Sequence, residues 1–121
     1  MTAQVIVCGA SGVDKKRFEW VPLDPGEEPS QGARLALLGG ASSVAVLLVE
    51  LEPGGLIAQH ATPDVSICHV IQGDGAVFFP SGDEIRFDRG DTFEFAGDVV
   101  HGWRGGRDRT LLAVTTYPEA A

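Results

Sequence analysis

Two stretches decide how this chain is read: PGGLIAQHATPDVSICHVIQGDG, residues 53–75, and GDEIRFDRGDTFEFAGDVVHGWRGG, residues 82–106. Short runs of β-branched and aromatic residues (GLIAQH, VSICHVI, GAVFF, EIRF, DTFEF) are separated by PGG, GDG, PSGD and RGD, which are turn signals. These stretches hold all three histidines, His60, His69 and His101. Residues two apart on a strand share a face, so His60 and Thr62 point the same way. His69 lies three after Ser66 and is expected to face away from it.

The same rhythm extends outward. QVIVC, RFEWV, ARLALL, SVAVLLVEL and RTLLAVTTY also read as strands, and 16 Gly and seven Pro punctuate the chain. About ten short strands with no competing helical periodicity predict an all-β protein, either two packed sheets or a closed barrel. VPLDPGEEPSQGA, residues 21–33, with three prolines and three acids, reads as a loop between an N-terminal arm and the main body. VIVCGASG, residues 5–12, looks like the first strand and glycine turn of a dinucleotide-binding fold. It lacks the full glycine pattern, and the following residues have no helical period, so an ordinary strand and turn is the better reading.

At 121 residues there is room for one domain, residues 1–121, with a core large enough to fold without staples. Nine Lys and Arg against 17 Asp and Glu leave a net charge of −8, a field that repels phosphate backbones and anionic lipid. Neither nucleic acid nor a membrane is expected as partner, and a soluble, cytoplasmic protein is the expectation in the absence of a basic leader or a long apolar run. Cys8 and Cys68, without a CxxC spacing, read as reduced thiols.

The two stretches resemble the paired signature motifs of the cupin superfamily, in order and at the usual separation. The first motif spans about 54–73: Gly54 lies six before His60, and Gly73 closes it. Where the family carries a second histidine and a glutamate, this chain has Thr62 and Ser66. The second spans about 90–105: Gly90 and Asp91 open it, Ala96 stands at the family's proline, Asp98 at its glycine, and His101 at its histidine. The resemblance implies a double-stranded β-helix, the cupin jelly-roll barrel, as a single domain with an N-terminal β arm and a ligand pocket in the barrel. It also implies a homodimer, to which VIVC could add an edge strand.

In the family, four ligands around one vacancy hold a divalent transition metal. Here two of the four survive, His60 and His101, and the hydroxyls of Thr62 and Ser66 are weak donors beside imidazole or carboxylate. The expectation is either no cofactor or a weakly bound divalent metal on His60 and His101, with Asp64, Glu94 or His69 the candidate partners. The remaining pocket set is Thr62, Ser66, Cys68 and Trp103 beside the two histidines, which suits a small apolar or aromatic molecule. Because imidazole titrates near neutral pH, His60 and His101 can move protons, as in an isomerase, lyase, dehydratase or cyclase. Two alternatives stand beside this: a metal-dependent, dioxygenase-like cupin on the same histidines, and a ligand-binding or sensor barrel without catalysis.

Overall fold

The computed structural model describes residues 4–23, 30–41 and 43–119, and among them there is no helix. The N-terminal arm is a hairpin of its own. β1 (Gln4–Gly9) and β2 (Gly12–Arg17) pair antiparallel with Gly9 opposite Gly12, leaving Ala10 and Ser11 as a two-residue turn. VIVC is therefore one half of a hairpin, and its partner GVDKKR is not the RFEWV run read as a strand. Phe18 and Trp20 lie outside any strand, edge to face at 5.8 Å, and the Arg34 guanidinium sits 4.3 Å over the Trp20 ring. Arg34 also donates to Glu50 at 2.7 Å, which fastens this segment to the body.

Nine strands form one curled sheet: β3 (Val21–Pro22), β4 (Gln31–Ala41), β5 (Val44–His60), β6 (Val65–Gln72), β7 (Gly75–Phe78), β8 (Glu84–Phe87), β9 (Thr92–Phe95), β10 (His101–Gly105) and β11 (Thr110–Tyr117). Their order is β8-β7-β10-β5-β11-β6-β9, with β4 against β5 and β3 against β4. The two end strands of that path, β8 and β9, are joined by the Asp88–Asp91 turn, where Gly90 N–H donates to Val70 O and Val70 N–H to Asp91 O, each at 2.8 Å. This is the all-β, jelly-roll architecture expected of the two motifs. Part of the expected 21–33 loop is strand: Val21 and Pro22 pair with Leu35 and Arg34, and β4 starts at Gln31, while residues 24–29 lie outside the described residues.

SVAVLLVEL and GLIAQH, read above as two strands, are one 17-residue strand. Its two halves differ in one neighbour: Ala45–Leu51 lies between β4 and β11, whereas Leu56, Ile57 and His60 pair with β10, Leu56 keeping Gln31 of β4 on its other side. Between them Gly54 takes φ 71° and donates its N–H to Gly106 O at 3.0 Å. Pro53-Gly54-Gly55 thus bends the strand from one wall to the other without ending it. HGWRG, outside the runs named above as strands, is β10.

Alternation supplies the core. In β11, Thr110, Leu112 and Val114 face inward, meeting Leu51, Val70 and Val77, and burial of each such aliphatic side chain contributes about 1.5–3 kcal/mol. Phe87, Phe95 and Trp103 complete the cluster.

Gly73 has φ 97°, and a Cβ there would fall 2.6 Å from Thr110 Cα, whereas Gly82, with φ 92°, has nothing within 4 Å of the same atom. Both alanine variants meet the left-handed backbone cost of roughly 1–2 kcal/mol, and only Gly73→Ala adds a backbone collision. Urea unfolding is expected to show Gly73→Ala less stable than Gly82→Ala by at least about 1 kcal/mol; equal losses would contradict the register of Gly73 against Thr110.

Candidate functional site

β5 and β10 are antiparallel with His101 opposite His60, so the two imidazoles meet across a strand pair. Their ring centroids are 4.8 Å apart with the planes tilted by 51°. Both line a cavity of about 190 Å³. Its other walls are aliphatic side chains of β4, β5 and β11, Trp103, and a polar fringe of Thr62, Ser66, Cys68 and Thr116. The pocket set named from the sequence is therefore brought to one cavity: His60, Thr62, Ser66, Cys68, His101 and Trp103.

The two rings are held in the same way. His60 Nδ1 lies 2.9 Å from Ala58 O, and His101 Nδ1 lies 3.1 Å from Val99 O, each the carbonyl two residues upstream. A carbonyl oxygen only accepts, so each Nδ1 carries the hydrogen and donates it. Nε2 of both rings has no partner among the described residues and, on a neutral ring, presents a lone pair.

The pair is not symmetric. His60 is half-buried, whereas His101 is 6% exposed and stacks on Phe95 at 3.6 Å with an interplanar angle of 2°. Burial pushes the His101 pKa down to about 4; the Val99 carbonyl opposes this and charge on His60 adds to it. His101 is thus neutral at pH 7 and does not offer a protonated imidazole to a developing oxyanion. Cys68 is buried, and burial raises its thiol to about 12, so it stays protonated. Trp103, 3% exposed, meets Phe87 and Phe93 edge to face at 5.4 Å, and is at once core and cavity wall.

The other candidates stand apart. His69 is exposed, bonded through Nδ1 to Thr92 Oγ1 at 2.8 Å, as its parity against Ser66 requires. Glu94 is exposed and Asp64 half-buried, and neither lines the cavity. Among the described residues no three His, Cys, Asp or Glu side chains gather as a metal site. Two imidazoles with a protonated thiol and hydroxyls do not fit the four-ligand metal that the motif resemblance implies.

Phe95 and Thr116 were missed by the sequence reading. The alternation in DTFEF puts Phe93 and Phe95 on one face, but nothing in the sequence says that His101 stacks there. At the family's glycine position, Asp98 takes φ 66°, the left-handed backbone that glycine serves, and its N–H donates to Thr62 O at 2.7 Å. Arg86, Arg89, Asp88, Asp91 and Asp108 line a separate, wider groove of about 650 Å³, where Asp88 and Asp91 are engaged in closing the β8–β9 turn.

No family model and no curated protein matches the chain. Solved structures do. The polyketide cyclase RemF from Streptomyces resistomycificus is similar with a TM-score of 0.72 and 17% identity, over 84% of this chain and 75% of that one. KdgF from Halomonas sp. has a TM-score of 0.67 and 20% identity over 84% and 87%. An RmlC-like cupin from Shewanella frigidimarina gives 0.68 and 20% over 84% and 85%. The chain has the cupin fold.

Because folding lowers the His101 pKa, the unfolded chain takes up a proton first as the pH falls. The stability that His101 contributes is complete above pH 6.5 and is lost on the way down to about 4. Between pH 7.5 and 4.5, urea unfolding is expected to show wild type losing roughly 2 kcal/mol more than His101→Gln; parallel losses would show that His101 is not buried as a neutral ring.

Proposed function

We propose that this chain is a cupin-fold enzyme that moves a proton on a small, largely apolar or aromatic substrate, in the manner of an isomerase, lyase, dehydratase or cyclase. The observation that carries it is the pair of imidazoles sharing one cavity, each clamped through Nδ1 with Nε2 unpartnered. The similarity to a polyketide cyclase and to KdgF is compatible with an enzyme on this fold and selects no reaction.

The two histidines take different roles. Burial makes His101 the poorer place for charge, so the proton in transit is carried by His60. His60 Nε2 removes hydrogen from a carbon next to a carbonyl and returns it at another position. Ser66 and Thr116 offer hydroxyls to the carbonyl oxygen as negative charge develops. His101, held flat against Phe95, stays neutral and orients the substrate through Nε2. Leu112, Val114 and Trp103 exclude water from the reacting carbon.

The test uses 2-hydroxyacetophenone, which has an apolar ring and exchangeable C–H bonds between a carbonyl and a hydroxyl. In deuterated buffer, ¹H NMR is expected to show loss of its methylene signal on the order of 10²-fold or more faster with the protein than with equimolar imidazole. His60→Ala is expected to return the rate to that of imidazole. Wild-type exchange no faster than imidazole, or undiminished exchange in His60→Ala, would overturn the proposal.

A further inference from the structure

Resting on that reading of the cavity, we infer that its ligand is an uncharged molecule with a single apolar ring or similarly compact body, whose hydroxyl donates its hydrogen to His101 Nε2.

Three observations converge on this class. Among the described residues no Lys, Arg, Asp or Glu lines the cavity. An anionic ligand would leave water for walls of Leu, Val, Ile and Trp with no fixed positive charge to receive it, which disfavours carboxylates and phosphates. Arg34 and Arg104, the arginines of the strands that form these walls, are engaged elsewhere, with Glu50 and Glu84.

The second observation is the direction of hydrogen bonding at His101. His101 gives its Nδ1 hydrogen to Val99 O, so Nε2 is left with a lone pair and no donor. The residue is buried and lines the cavity, so a ligand there is placed to supply the missing hydrogen. A ligand whose one polar atom is an ether or carbonyl oxygen would bring a second acceptor against it, whereas an alcohol, phenol or enol brings the missing hydrogen. Ser66 and Thr116 hydroxyls both donate and accept, so they leave this polarity to the histidine.

The third is size. A cavity of about 190 Å³ falls short of the roughly 300–1,000 Å³ of drug-sized sites, which limits the body to about one ring with short substituents. The aliphatic walls and the Trp103 indole supply the apolar contact for that ring.

Calorimetric titration of the full chain at pH 7.5 with three compounds of one shape tests the inference: p-cresol donates, 4-methylanisole only accepts, and 4-methylbenzoate is an anion. p-Cresol is expected to bind at least tenfold more tightly than 4-methylanisole, with no heat from 4-methylbenzoate at millimolar concentration. In His101→Leu the preference for p-cresol is expected to vanish while 4-methylanisole still binds. Should that variant fail to fold, the wild-type ratio decides alone. Equal affinity for p-cresol and 4-methylanisole, binding of 4-methylbenzoate, or no binding of p-cresol would each overturn the inference. Equilibrium binding needs no turnover, so a p-cresol preference without hydrogen exchange in 2-hydroxyacetophenone would remove the enzyme reading and leave this one standing. Exchange without the preference would do the reverse.

Discussion

The pairing of β5 with β10, which sets His101 directly opposite His60, is the constraint on which the site depends. It requires β5 to exchange β11 for β10 as its neighbour at Pro53-Gly54-Gly55. It also requires β10 to run close to its neighbours. A Cβ on Gly102 would fall 2.8 Å from Ile57 O, and one on Gly105 would fall 2.9 Å from Glu52 O. Glycines at these two places let β10 lie against the bent strand, and the two imidazoles are brought together as a consequence.

The same glycines explain what the sequence concealed. Pro-Gly-Gly and a Gly-rich HGWRGG have the composition of turns, which masks the continuity of β5 and leaves β10 outside the runs that read as strands from composition. Both are strands, because the local preference against Gly and Pro yields to close packing between backbones. RFEWV has the opposite history. Its aromatic and β-branched residues favour a strand, yet Phe18 and Trp20 pack on each other and under Arg34, outside the ladder. The cavity-facing positions of His60, Thr62, Ser66 and His101 were legible because motif spacing and strand parity agree there. Thr116 on the cavity wall and Phe95 behind His101 were not, since they come from β11 and β9, whose registers against β6 are tertiary facts.

Thr62 and Ser66, at the positions where the cupin motif carries metal ligands, set the chemistry that this barrel can host. Neutral hydroxyls and a protonated Cys68 leave the two imidazoles as the strongest bases facing the cavity among the described residues. Shared backbone clamping makes them alike in hydrogen-bond direction, and burial makes them unlike in their tolerance of charge. One ring suited to carrying a proton beside one suited to accepting a hydrogen bond is a division of labour set by environment, since the residue type is the same.

The central claim is that both rings keep hydrogen on Nδ1 and offer a bare Nε2 to the cavity. Long-range ¹H–¹⁵N correlation spectra of ¹⁵N-histidine-labelled protein at pH 8.5, above the ordinary imidazole range, read this directly. The account predicts that His60 and His101 both show a protonated Nδ1 and an unprotonated Nε2. A hydrogen on Nε2 of either ring would contradict it.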